Sequence, residues 1–291
     1  MIDGFDTAGL IGATAMYGAV TLVGLVRVVG FPGAKAVDAW MSGHGLDPAG
    51  AGRARIVTYL RRARRIRTAG FLLGFNAPYA WMWVTRSAYR MNDVFPYLWL
   101  VGFAAGILLA ELLRPRADGS AAAVEPRRLA QYLPDFTRFD RWILLGGVAA
   151  LVLLSRLLPV APAASPDESA ISRNSLGWYA GLGLLAGGIV FAAWIGQEIV
   201  IRRRQSLDDV EEIRADDAMR STSVQGIAGL GYGAPMWLAA TMAWNLAITQ
   251  RGVVTSILAL SSILLMVGGL GMLVGYPRLN GRWVVPRARH G

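Results

Sequence analysis

The chain has 291 residues, 54% hydrophobic and only 16% charged, a balance too apolar for an ordinary soluble domain. Its formal charge of +10 invites a nucleic-acid reading, but no base-stacking or groove-reading pattern accompanies the arginines, so nucleic acid is not an expected partner. With no cysteine, disulfides, thiolate metal sites and cysteine nucleophiles are excluded.

Seven hydrophobic stretches follow one another, from Thr7 to Leu25, Ala69 to Thr85, Val94 to Leu113, Trp142 to Val160, Gly177 to Ile201, Ile227 to Ile248 and Val253 to Val274. An apolar helix needs about 20 residues to cross about 30 Å of hydrocarbon, and each stretch meets that length or falls just short. The sequence therefore predicts an all-α, polytopic membrane protein in a lipid bilayer, a bundle of seven transmembrane helices. A leading helix (1–26) precedes three helical hairpins (69–113, 142–201 and 227–275). Polar segments 27–68, 114–141 and 202–226 and a basic tail, 276–291, complete a single integral membrane domain.

The basic residues fix the orientation. Arg27 to Thr68 holds nine basic and two acidic residues, Arg114 to Arg141 six and four, Arg202 to Gly226 five and six, and the tail four arginines. The intervening connections carry only Arg86 and Arg90, then Arg173, then Arg251. Lys and Arg accumulate on the cytoplasmic side, so the N-terminus is expected outside and the C-terminus inside a plasma membrane crossed many times. The base-free start with Asp3 and Asp6 lacks the positive region of a signal peptide. Lys35 is the only lysine against 28 arginines, a coding bias that suggests a bacterial source.

Within the segment 27–68, Ile56, Tyr59, Leu60 and Ala63 recur at helical spacing among Arg61, Arg62, Arg64, Arg65 and Arg67. Such a basic amphipathic helix suits an anionic membrane surface. The sharper alternative is a docking element for a cytoplasmic ATPase, which a transporter without its own Walker motif would need. Two similarities suggest internal repetition: Arg55–Leu60 with Arg128–Leu133, and Leu73–Pro78 with Leu230–Pro235.

Pro78 and Pro235 fall inside the second and sixth stretches, each four residues after a glycine, Gly74 or Gly231. Proline removes a helical hydrogen bond, and interrupted helices at matching places mark binding sites in secondary transporters. Gly74, Asn76, Pro78, Gly231, Gly233 and Pro235 are therefore expected to line a central path if these helices break. Glu111 and Glu198 stand near its inner mouth, each with an arginine three or four residues on (Arg114, Arg202). Asn245, in the sixth stretch, is counted with the same path and is expected to hydrogen-bond across helices. Glycine pairs spaced by four, among them Gly70/Gly74 and Gly102/Gly106, are expected to serve close helix packing.

No catalytic constellation is found. His44 and His290 lie outside the apolar stretches, so no haem is expected, and the seventh stretch has no lysine for retinal. No other cofactor is implied. Asp208, Asp209 and Glu212 are weak candidates for Mg²⁺, or simply the acidic start of a helix. The expected function is a transporter or permease-like membrane subunit, with a homo-oligomer in view. The alternative is a non-catalytic scaffold or assembly factor of a larger complex, and a lipid-modifying enzyme comes third.

Single cysteines introduced into this cysteine-free chain test the topology. Ser87→Cys is expected to react with a membrane-impermeant thiol reagent in intact cells, and Ser206→Cys only after permeabilisation. The reverse pattern would invert the assignment.

Overall fold

The computed structural model describes residues 7–30, 33–50, 52–85, 97–113, 129, 132–133, 137–158, 176–203, 210–250 and 252–279. Among them the regular elements are eight helices and no strand: α1 (Thr7–Val29), α2 (Ala34–Gly43), α3 (Arg53–Thr85), α4 (Leu98–Leu112), α5 (Thr137–Leu157), α6 (Leu176–Ile201), α7 (Val210–Thr249) and α8 (Val253–Leu279). They gather into two compact units, Met1–Asp118 with Asp208–Ala215, and Gly119–Leu207 with Asp216–Gly291.

Two helices are long and apolar enough to cross a membrane, Gly177–Ile201 and Val253–Leu273. A third is added if α1 and α2, bent by 73° to one another, form one span. α4 is apolar but has only 15 residues. The helical class and an association with membrane thus stand, with two to three candidate spans among the described residues. The other expected stretches fall on helices that are short or mixed in character. α7 differs most: nearly every residue from Ala215 to Ala243 is buried, and Gly, Ala, Met and hydroxyl side chains replace the large aliphatics of an outer helix. α8 is its opposite, with Val253, Ile257, Leu260, Leu264 and Val267 exposed.

In the first unit α2 buries Val37 and Met41, one turn apart, and stops at a Schellman turn. Leu46 N donates to Met41 O at 3.0 Å and Gly45 N to Ser42 O at 3.1 Å, while Gly45 takes the left-handed φ of 68° that this turn requires. His44 stacks on Trp40 at 4.1 Å, and burial lowers its pKa below the ordinary histidine range, outweighing the opposing contact with Trp40 O. An Asx turn at Asp47, whose Oδ1 accepts from Ala49 N at 2.9 Å, leads into α3.

α3 runs unbroken for 33 residues with Pro78 inside it. The basic segment and the second apolar stretch are therefore one helix, and the boundary expected after residue 68 lies within it. Its buried positions Ile56, Tyr59 and Ala63 follow the expected stripe. α1 packs antiparallel along α3: Thr14 meets Tyr79 at 3.0 Å, Thr21 Oγ1 donates to Asn76 Oδ1 at 3.0 Å, and Arg65 Nε donates to Val28 O at 3.0 Å.

α4 returns against α3 at backbone contact. A Cβ on Gly70 would run into Gly102 O, one on Gly74 into Leu98 O, and one on Gly106 would lie 2.9 Å from Ile66 O. The paired glycines are thus what lets the two backbones touch. In the second unit α5 and α6 are antiparallel, with Val152 beside Gly183 and Arg141 beside Gln197. α7 turns at Gly252, φ 72°, into α8, which crosses it where Gly233 meets Gly269 and where Ser262 Oγ donates to Ala240 O at 2.7 Å. α7 is continuous for 40 residues through Pro235, and the boundary expected after residue 226 lies within it.

Gly74→Leu would force α3 and α4 apart, and overpacking of this kind costs about 1–3 kcal/mol or more. A lowered unfolding midpoint in detergent is expected. Gly181→Leu, at a position with nothing within 4 Å of an added Cβ, is expected to leave it near wild type.

Candidate functional site

The second unit hides a line of polar side chains between α6 and α7. α6 is built of aliphatic, small and aromatic residues until Gln197, whose side chain is fully buried, and α7 contributes Asp216, Arg220, Ser221, Ser223 and Gln225 on buried positions. Burying such groups is costly unless each finds a hydrogen bond, so their partners define the arrangement.

Arg220, only 2% exposed, sits where α6 ends. Its Nε donates to Asp216 Oδ2 at 2.6 Å, one turn back on its own helix. Its Nη1 donates to the carbonyls of Arg203 at 2.7 Å, Ile201 at 3.2 Å and Val200 at 3.3 Å. The last carbonyls of a helix have no partner within it and carry the negative end of its dipole. A guanidinium from the neighbouring helix answers both, and Asp216 balances its charge. One helical turn further in, Gln197 Nε2 donates to Val224 O at 3.2 Å and Gln197 Oε1 accepts from Arg141 Nη2 at 2.5 Å, so α5, α6 and α7 meet at one amide. Ser223 Oγ satisfies itself on Met219 O at 2.8 Å, and Gln225 Nε2 donates to Ser221 Oγ at 3.2 Å.

The seam ends at a cavity of about 10 Å³ lined by Arg141, Ala193, Gln197, Gly231 and Tyr232, room for about one water molecule. Gly231 stands four residues before Pro235, which has no N–H to give its carbonyl. Gly231 itself is closely packed, since a Cβ there would come 2.9 Å from Ala193 Cβ. The polar groups on the cavity wall are the Arg141 guanidinium, the Gln197 amide and the Tyr232 hydroxyl-bearing ring, with Gly231 among the lining residues.

The remaining expected residues divide between the units. In the first, Gly74 lies in the α3–α4 contact and Pro78 is buried in an unbroken helix. Asn76 accepts from Thr21 and donates through Nδ2 to Leu72 O at 2.9 Å, so its amide ties α1 to α3. Glu111, 2% exposed, accepts from Tyr59 Oη at 3.2 Å and from Arg67 Nη2 at 3.1 Å. Its ion-pair partner among the described residues is Arg67 on α3; the expected partner, Arg114, lies outside the described residues. Arg67, half-buried, is the expected headgroup residue that pairs with this enclosed carboxylate, because a carboxylate in this setting needs a cation at hand. Arg65 bonds the end of α1, and Arg62 is exposed while Arg61 and Arg64 are half-buried.

In the second unit Glu198 pairs with Arg202 at 3.2 Å, the expected i,i+4 geometry. Gly233 and Pro235 are buried in α7, Gly233 against Gly269. Asn245 Nδ2 donates to Thr241 O at 3.0 Å. That bond stays within its own helix instead of crossing to a neighbour, as a short amide readily does. Asp208 and Asp209 lie outside the described residues. Glu212 meets Arg55 Nη1 at 3.5 Å, and among the described residues no group of three His, Cys, Asp or Glu side chains could hold a metal.

Sequence reasoning passed over Arg141, Gln197 and Arg220, and took Asp216 only as part of the acidic run from Asp208 to Asp217. Gln197 carried a usable signal, an amide in the last turns of an apolar stretch. Asp216 and Arg220 carried a weaker one, opposite charges four apart in a segment read as a loop. No protein family, curated protein or solved structure matches this chain.

Breaking a buried ion pair costs about 3–5 kcal/mol, whereas replacing both members with apolar residues is often close to neutral. Arg220→Met is therefore expected to lower the unfolding midpoint in detergent sharply, and Asp216→Leu with Arg220→Met to recover part of the loss. Equal losses in the single and double variants would mean that the bonds to the end of α6, and not the ion pair, dominate.

Proposed function

We propose that the chain is a multi-pass protein of a bacterial plasma membrane with a transport role, either a small permease or the membrane subunit of a larger transport system driven by a cytoplasmic ATPase. The seven-helix topology, N-terminus outside and C-terminus inside, belongs to this reading. Supporting it are the alternation of basic and base-poor connections, the antiparallel pairs α3–α4, α5–α6 and α7–α8, and the exposed aliphatic side chains of α1, α6 and α8.

The observation that carries the transport reading is the seam from Asp216 and Arg220 to the cavity at Arg141, Gln197 and Gly231. Ionisable and amide side chains buried among apolar helices are costly and mark ion, proton or solute paths. Passage along this seam requires α6 and α7 to part.

The test is electrical. Purified protein in liposomes on a solid support is challenged with inorganic ions, amino acids and organic acids in turn. A solute-dependent charge displacement, abolished by Gln197→Leu at unchanged insertion, is the expected result. A displacement indifferent to Gln197→Leu and Arg141→Gln would remove the seam from the path.

A second reading, a membrane scaffold or assembly factor, is favoured by the prolines themselves. Pro78 and Pro235 sit in continuous helices, and Gly74 and Gly233 are spent on backbone contact. Absence of any charge displacement, with co-purification of a large stoichiometric complex, would decide for the scaffold.

A further inference from the structure

The described basic side chains differ in their partners. Arg53, Arg55, Arg67, Arg202 and Arg220 are ion-paired with Asp38, Glu212, Glu111, Glu198 and Asp216 respectively. Arg27, Lys35, Arg62, Arg64 and Arg65 all belong to the first unit, and among the described residues none of them has a carboxylate partner. α3 itself contains no acidic residue, so nothing on that helix offsets its arginines.

Three of these cations lie around the C-terminal end of α1. The bond from Arg65 Nε to Val28 O brings Arg65 to the last turn of α1, next to Arg27, and Arg62 precedes Arg65 by one turn on α3, within side-chain reach. All three are exposed. Like charges held together at the edge of an apolar surface repel unless an anion joins them, and the planar guanidinium fork matches phosphate oxygens. The apolar surface begins at the same spot. Leu22, Val23, Val26 and Val29 of α1 are exposed, a strip that leads away from the arginines along the helix. A soluble phosphate compound has no use for such a strip, whereas a lipid's acyl chains do.

We propose that the junction of α1 and α3 is a binding site for an anionic phospholipid, its phosphate held by Arg27, Arg62 and Arg65 and its acyl chains laid on the exposed aliphatic strip of α1. The site rests on the chain being embedded in a membrane and is independent of transport. It differs from general adsorption to a charged surface in requiring particular arginines.

The full chain is reconstituted in bilayers of phosphatidylcholine with a minority of phosphatidylglycerol, extracted gently, and its retained lipid counted by mass spectrometry. Retained phosphatidylglycerol is expected to exceed its bulk proportion. Arg27→Gln with Arg62→Gln is expected to weaken the selective binding by roughly tenfold or more and so return the retained phosphatidylglycerol to its bulk proportion, and Arg202→Gln, a paired cation in the other unit, to leave the enrichment unchanged. Arg65 stays intact so that its bond to α1 is kept, and Arg62→Gln alone, at an exposed side chain, gives a milder variant in which the enrichment should still fall. Wild-type retention at the bulk proportion would overturn the site, as would enrichment unaltered in the double variant. Equal stabilisation of the lipid-free protein by inorganic phosphate would overturn it in favour of a soluble anion. A chain washed off the bilayers by alkaline carbonate would overturn the membrane reading and the site together, whereas an embedded but unselective chain removes the site alone.

Discussion

A polar group removed from water has to bond to protein, and that constraint organises this molecule more than any single apolar contact. The final carbonyls of α6 have no intrahelical partner, and Arg220 reaches them from α7. Once a guanidinium is buried there it needs a counter-charge, and Asp216 supplies it from the preceding turn. Gln197 repeats the logic at a lower cost, since an amide bridges Val224 and Arg141 without a net charge. The same rule governs the first unit, where Glu111 is enclosed only because Tyr59 and Arg67 meet it.

Elsewhere along the same helices, the backbones approach through missing side chains. Lipid tails are as apolar as leucine, so burial alone gives helices in a bilayer little reason to associate, and close backbone packing takes its place. Gly70, Gly74, Gly102 and Gly106 bring α3 and α4 to contact, and Gly233 with Gly269 does so for α7 and α8. Gly181, Gly187 and Gly271 have nothing within 4 Å of an added Cβ. Spacing by four residues is thus compatible with contact but does not by itself produce it; a partner glycine on the facing helix does.

Apolar stretches of helix length made seven of the eight helices and the antiparallel order of the hairpins legible in the sequence, whereas α2 fell in a segment read as a polar loop. Two things were hidden. Helix continuity through Arg53–Thr85 and Val210–Thr249 could not be read off, since a polarity change at residues 68 and 226 resembles a boundary although backbone hydrogen bonding is indifferent to it. Proline was similarly ambiguous: Pro78 and Pro235 suggested breaks, yet one missing N–H leaves the rest of the ladder intact. For the candidate site, residues singled out by their own type, such as Glu111 and Glu198, were found to be paired. Arg141, Gln197 and Arg220 were overlooked because their importance arises from partners distant in sequence, which composition does not encode.

The unbroken course of α3 has a mechanical meaning. At about 1.5 Å per residue, its 33 residues form a rod about 50 Å long, with arginines at one end and, at the other, the side chains that meet Thr14 and Thr21 of α1. A stiff rod cannot move at one end alone. Any force applied to the arginine end, by a lipid surface or by a docked protein, is delivered as tilt to the far contacts with α1.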